Sequence, residues 1–445
     1  MSNEAIGYLG MLSLTVLILL RVPVAVSLGL VGFFGYCALE GWSKAGLALG
    51  GVPMELASAY GLSVVPLFML MGALATTAGL SRDLFYGANV VFRRTRGALA
   101  MAAIAASAAF GAVCGSSVAT AATLGRVSIP EMLKAGYSHQ LAAGAVAAGG
   151  TLGILIPPSL ILMIYAIIAQ QSVSKLFAAA LVPGLVLTAL YIIVVQIMVR
   201  VKPEHAPLST EPVPNSIRSL LKVWHVALLF VVTLGGIYFG YFSPTEAAAI
   251  GAIGALLLGF SLRRLGLAQT TAAFVETVRT TSALTLIVMA STLFSYFVVQ
   301  TRIAKNIVDT LASSGLSPTI VIVLIVVFYI ALGCFLEGIG MVLVTVPILL
   351  PVVLANGFDP VWFGVLLVIV VEIGLIHPPV GMNLFVIRAQ APEIDIRDVS
   401  RRHSVPVRAA GADCVADLLS RHRALAAASG PLAAQTICAW SLRKI

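Results

Sequence analysis

The sequence predicts an all-α, polytopic membrane protein built from two related halves. Three observations predict it. The 445 residues are 60% hydrophobic and 10% charged, whereas soluble domains carry about 25% charged residues. Uncharged runs long enough to cross a bilayer, which takes ~20 apolar residues, recur along the chain. A Gly-x-x-x-Pro-Pro motif also occurs twice, at Gly153 and again 221 residues later at Gly374. A soluble core cannot absorb this much apolar surface, so lipid is the solvent.

The chain divides into six segments. Residues 1–96 hold an apolar block interrupted at Arg21-Val22-Pro23, a second block around Val64-Val65-Pro66, and a basic stretch ending at Arg96. The first apolar run lacks a basic region before it and reads as a retained span, not a cleaved signal. Residues 97–200 are almost continuously apolar and rich in Gly and Ala, which let helices approach closely in a membrane. Residues 201–222 carry Lys202, Glu204, His205 and prolines 203, 207, 212 and 214, and read as a polar linker. Apolar spans resume over 223–313 and 314–390. Residues 391–445 form an atypical basic tail, with charges too frequent for a convincing further span.

The net charge of +9 does not signal nucleic acid. The basic residues sit in short clusters between apolar runs (Arg93, Arg94 and Arg96; Arg200 and Lys202; Arg263 and Arg264), as cytoplasmic loops do when they fix orientation. On that basis the 82–96 loop is placed in the cytoplasm. The five cysteines lack metal-ligand spacing. No Gly-x-Ser-x-Gly or His-Glu-x-x-His is present, so an enzyme is not indicated.

The duplication is specific. Pro130 and Pro351 precede the two Pro-Pro motifs by the same spacing. Adjacent prolines break a helix. Broken backbone at membrane depth survives only where it is buried in protein or lines a cavity. There, freed carbonyls can hold a cation and helix N-termini an anion. A small, polar turn precedes each break: Cys114 to Thr123 in the first half and Leu336 to Thr345 in the second. Each reads as the tip of a re-entrant hairpin. Paired interruptions of this kind point to a transporter's binding site.

Gly115 to Thr123, Ala145 to Ser159 and Glu372 to Phe385 together resemble the large membrane (permease) subunit of TRAP transporters, the tripartite ATP-independent periplasmic transporters. The resemblance runs from about residue 5 to 398. It implies two inverted repeats in an elevator-type fold: 1–96 and 223–313 supply scaffold spans and an arm, while 97–200 and 314–390 supply the moving domain with both hairpins. It implies Na+-coupled uptake of a small carboxylate such as a C4-dicarboxylate, a sialic acid or another sugar acid. It also implies two partners, a small four-helix membrane subunit and a periplasmic substrate-binding protein, and a location in the bacterial inner membrane.

The resemblance places a first sodium at Gly115, Ser116, Ser117 and Thr120 against Gly153 and Pro157. A second falls at Gly338, Met341 and Thr345 against Gly374, Pro378, Gly381 and Asn383. Hydroxyls and carbonyls suit a hard cation that wants about five or six oxygens. The substrate candidates are Ser116, Thr120, Glu337, His377 and Asn383. His377 stands where the family often has Thr, and Glu337 where Asp is commoner. Glu372, two residues before the second break, is an intramembrane carboxylate and therefore a functional candidate. The alternative is a stand-alone divalent-anion/sodium symporter with similar hairpins.

Overall fold

The structure, a computed structural model, describes residues 2–20, 22–207, 223–313, 315–333, 336, 338–376 and 382–391. The tail beyond 391, most of the linker, and Glu337, His377, Pro378 and Gly381 lie outside the described residues.

The described chain is helical. In order, the helices are α1 (Asn3–Leu19), α2 (Val24–Glu40), α3 (Trp42–Ser58), α4 (Val64–Thr77), α5 (Leu80–Phe92), α6 (Ala98–Cys114), α7 (Ser117–Lys134), α8 (His139–Leu155), α9 (Leu160–Ile168) and α10 (Val173–Val201). After the linker come α11 (Trp224–Tyr238), α12 (Pro244–Ser261), α13 (Leu267–Thr301), α14 (Ile303–Ser313), α15 (Pro318–Gly333), α16 (Gly338–Ala355), α17 (Pro360–Ile376) and α18 (Met382–Gln390). Among the described residues, six stretches are long and apolar enough to cross a membrane, including Val173–Val201, Leu267–Thr301 and Gly338–Ala355.

The helices sort into two packed groups. α1 to α4 pack with α12 and α13, and α11 packs on α12. α6 to α10 pack with α15 to α18. Two amphipathic helices join the groups. α5 follows α4 and lies along α6 and α7; α14 follows α13 and lies along α16. Both have one apolar stripe, as an interfacial helix should. The long outer helices show lipid-sized side chains to the exterior, including Leu257, Val275, Leu286 and Val299.

Glycine sets the closest crossings. A Cβ on Gly111 of α6 would sit 2.4 Å from Gly153 Cα of α8, and one on Gly333 of α15 would sit 2.9 Å from Gly374 Cα of α17. Both crossings bring backbone against backbone just ahead of a Pro-Pro motif. No side chain larger than hydrogen fits there without separating the helices.

Candidate transport site

The first hairpin turns at Gly115. Its φ of +67° is a left-handed conformation that ends α6, and its N–H donates to Gly111 O at 2.8 Å. Glycine takes this conformation without strain. It is needed for a second reason: a Cβ here would lie 2.7 Å from the Pro158 carbonyl oxygen. Ser116 then caps α7, its Oγ accepting from Ala119 N–H. The tip is thus a helix N-terminus aimed away from α6.

The first break receives that tip. α8 runs through Gly153 to Leu155, Ile156 is extended, and Pro157 and Pro158 follow, joined by a cis peptide. The sequence places the break over Gly153 to Pro157, and in the structure the helix runs on through Leu155 and ends at Ile156. Glycine permits a break, but Pro157 imposes one, because the residue before a proline is driven out of the helical region. Ser159 caps α9 with its Oγ on Leu162 N–H at 3.3 Å. Leu160 N–H donates to Gly115 O at 3.2 Å, tying tip to break.

Gly115, Ser116, Thr120 and Gly153, four of the residues assigned to the first sodium, come together at this junction. A Cβ on Gly153 would meet Thr120 Oγ1 at 2.5 Å and Ser116 O at 2.9 Å, so α8 offers no side chain where those oxygens crowd. Thr120 is fully buried, and its hydroxyl has no close nitrogen or oxygen partner among the described residues, the Cys114 thiol, a weak partner, lying beside it. A buried hydroxyl so weakly paired costs up to about 1–3 kcal/mol. Together with a nearby carbonyl, it is the donor set a hard cation takes.

Asn383, which the sequence reading lists with the second sodium, also reaches the first tip: its Nδ2 donates to Ser117 Oγ at 2.8 Å, across 266 residues, and both side chains are buried. Its Oδ1 has no partner among the described residues and is a second unclaimed oxygen at the first tip. α18 packs on α7 and α8, which is how a second-half residue reaches the first-half hairpin.

The second hairpin is built differently. Gly338 opens α16 against Val371 and Ile161, where a Cβ would come within 2.9 Å of both. Met341 and Thr345 are buried. The Thr345 hydroxyl donates to Met341 O at 2.8 Å and also pairs with Tyr329 Oη. Unlike Thr120, it is satisfied within the protein. Ser291 of α13 donates to Leu343 O at 2.8 Å, holding this hairpin to the first group of helices. Glu372 is buried and faces Thr151 and the backbone of Leu155 on α8. Sequence reasoning found Glu372 as a candidate but missed that it crosses to the first-half break. It also missed Tyr329, because a Tyr in an apolar span carries no pattern.

The two tips meet at one small cavity of about 40 Å³. Gly115, Ser116, Ser117 and Val118 line one side and Gly338 and Ile339 the other, with Ile154, Leu160, Ile161 and Leu375 between them. The N-termini of α7 and α16 both open on it. Residues 11–406 match the family described as "Tripartite ATP-independent periplasmic transporter, DctM component". The chain belongs to that family. The C4-dicarboxylate TRAP transporter large permease protein DctM of Pseudomonas aeruginosa is 39% identical over 338 residues, 75% of this chain and 78% of that protein. The sialic acid TRAP transporter large permease protein SiaM of Vibrio cholerae is 34% identical over 327 residues, 73% of this chain and 76% of that one. The solved YdaH transporter of Alcanivorax borkumensis superposes with a TM-score of 0.59 at 14% identity, covering 88% of this chain and 90% of that one. That likeness is one of fold. This TRAP large permease is a multi-pass membrane transporter subunit and not an enzyme.

Proposed function

We propose that this permease takes up a small carboxylate across the bacterial inner membrane by coupling its entry to a sodium gradient. A periplasmic binding protein delivers the substrate, and a small four-helix membrane subunit completes the assembly. The named relatives transport a C4-dicarboxylate and a sialic acid, and the substrate falls in that class or among other sugar acids.

One observation carries the reading. Two buried oxygens with no nitrogen or oxygen partner among the described residues, Thr120 Oγ1 and Asn383 Oδ1, stand at the first hairpin tip, beside a cavity on which two helix N-termini open. Unclaimed oxygens suit a cation, and helix N-termini suit a carboxylate. The first coupling ion is held by Thr120, Ser116 and their neighbours, with Gly153 keeping the space clear. The second site takes Gly338, Met341, Thr345, Gly374 and Asn383 together with the undescribed Pro378 and Gly381. The cavity holds a few waters and is far below the roughly 300–1,000 Å³ of small-molecule pockets. The tips must part to admit substrate. The group of α6–α10 with α15–α18, carrying both tips, moves as an elevator against the first group, and the two halves act as inverted repeats. The paired glycine crossings at Gly111–Gly153 and Gly333–Gly374 support that equivalence.

The test is uptake into proteoliposomes holding this chain and the small subunit, with the binding protein outside, screened over carboxylates. Accumulation that requires an inward sodium gradient and the binding protein is expected. Uptake without the binding protein would favour a stand-alone symporter, and equilibration without accumulation would mean a channel.

A further inference from the structure

A buried carboxylate held by two basic side chains lies outside the transport site. Asp83 in the first turn of α5 is buried. The guanidinium of Arg264, in the turn between α12 and α13, donates to both of its oxygens, Nη1 to Oδ2 at 2.5 Å and Nη2 to Oδ1 at 3.2 Å. His225 at the start of α11 is also buried and places Nε2 3.1 Å from Oδ2. Arg264 Nη1 further donates to Ala78 O at 3.4 Å. Ala78 and Asp83 flank Gly79, whose φ of +71° forms the joint between α4 and α5. One guanidinium therefore grips both sides of a glycine joint.

The position of that joint gives the cluster meaning. α4 belongs to the first group of helices, and α5 is the connecting helix that lies along α6 and α7 of the second. Arg264 and His225 both come from the first group. The opposite connection, from α13 to α14, turns at Arg302 with φ +57°, and no ion pair among the described residues bridges it. Burial alone would push the Asp83 carboxyl up, but the bonds from His225 and Arg264 outweigh it and hold it below the ordinary carboxylate range. The anion is thus the stable form here. A bidentate Arg–carboxylate pair is geometrically stiff, and here the carboxylate is buried while the guanidinium reaches it from the exposed side.

We infer that Asp83, Arg264 and His225 form a clasp that fixes the α4–α5 joint as a pivot about which α5 turns. The inference rests on the elevator reading above. These are positioning residues, since none reaches the hairpin tips. Loosening the clasp slows the crossing of the moving group without changing what it binds.

The experiment compares wild type with Asp83→Asn and Arg264→Lys in the full three-part system. Arg264→Lys keeps the charge but cannot span both carboxylate oxygens and the Ala78 carbonyl. Expected are a maximal uptake rate lowered about tenfold in Asp83→Asn and about threefold in Arg264→Lys, with half-saturating substrate and sodium concentrations within twofold of wild type. Amide exchange over residues 78–84 rises in both. That second readout needs no transport. Absence of uptake by wild type defeats the functional reading, while exchange still judges the clasp. If Asp83→Asn fails to reach the membrane, Arg264→Lys carries the test. Unchanged exchange at the joint, unchanged maximal rate, or a raised half-saturation at full rate overturns the clasp.

Discussion

Replacing Thr120 and Thr345 in turn by valine separates a cation ligand from a structural hydroxyl. Valine keeps the shape and removes the oxygen. Thr120 Oγ1 is fully buried with only the weak Cys114 thiol beside it and no close nitrogen or oxygen partner among the described residues, so in sodium-free buffer its loss removes a desolvation cost of up to about 1–3 kcal/mol. Thr120→Val is therefore expected to be neutral or stabilising there. Thr345 is the opposite case. Its hydroxyl bonds Met341 O and Tyr329 Oη, so Thr345→Val strands a buried phenol and costs about 1–3 kcal/mol. With sodium the order changes. A ligand at a hundred times its dissociation constant stabilises by about 2.7 kcal/mol. Charge-assisted contacts are worth about 1.5–3 kcal/mol each, which corresponds to a roughly 10- to 150-fold rise in half-saturating sodium. The assay is thermal unfolding of purified protein in sodium chloride against choline chloride at equal ionic strength. Wild type gains stability with sodium, and Thr120→Val loses most of that gain. A Thr120→Val protein that is less stable without sodium, yet keeps the full sodium response, would refute the cation-site reasoning.

Three further outcomes follow from the geometry. Gly153→Ala pushes a methyl onto Thr120 Oγ1 and Ser116 O, an overpacking worth about 1–3 kcal/mol, and should raise half-saturating sodium in uptake. Gly144→Ala, on the same helix with nothing within 4 Å, should leave it unchanged. Asn383→Ala removes the bond to Ser117 and should lower uptake roughly fivefold or more, measured at equal protein in the membrane. Asp83 has a depressed carboxyl, so its stabilisation is present above its unfolded value of about 3.9 and is lost as pH falls through the lower folded value. The difference in unfolding temperature between wild type and Asp83→Asn should persist down to about pH 5 and shrink only below about pH 4.

Much of this fold is legible in the sequence because the membrane simplifies the code. Uncharged runs mark spans, and Pro157-Pro158 after Gly153 marks a break whatever surrounds it. The first tip is legible for the same reason: Gly115 followed by Ser116 is a left-handed helix end and an N-cap written consecutively. The connecting helices were harder. α5 falls in a stretch read only as basic, because its apolar stripe is shorter than a span. Asp83 was overlooked within it, although a lone acid among Arg82, Arg93, Arg94 and Arg96 is a fair signal of a paired carboxylate.

What the sequence could not show is which half owns which site. A repeat with a constant offset of 221 residues suggests two self-contained copies, each with its own tip, break and cation. The packing does not keep them apart. Asn383 of the second half bonds Ser117 of the first, and Glu372 of the second faces the first-half break at Thr151 and Leu155. Offset counts distance along the chain, whereas these contacts depend on α17 and α18 lying across α8 and α7. The two threonines diverge on the same ground: Thr345 has the Tyr329 hydroxyl beside it, whereas Thr120 has the Cys114 thiol, a weaker partner. Equal positions in a repeat thus carry unequal chemistry. On the two-site reading proposed above, coupling needs no long relay, since Asn383 bonds Ser117 at the first tip and lies in the first turn of α18.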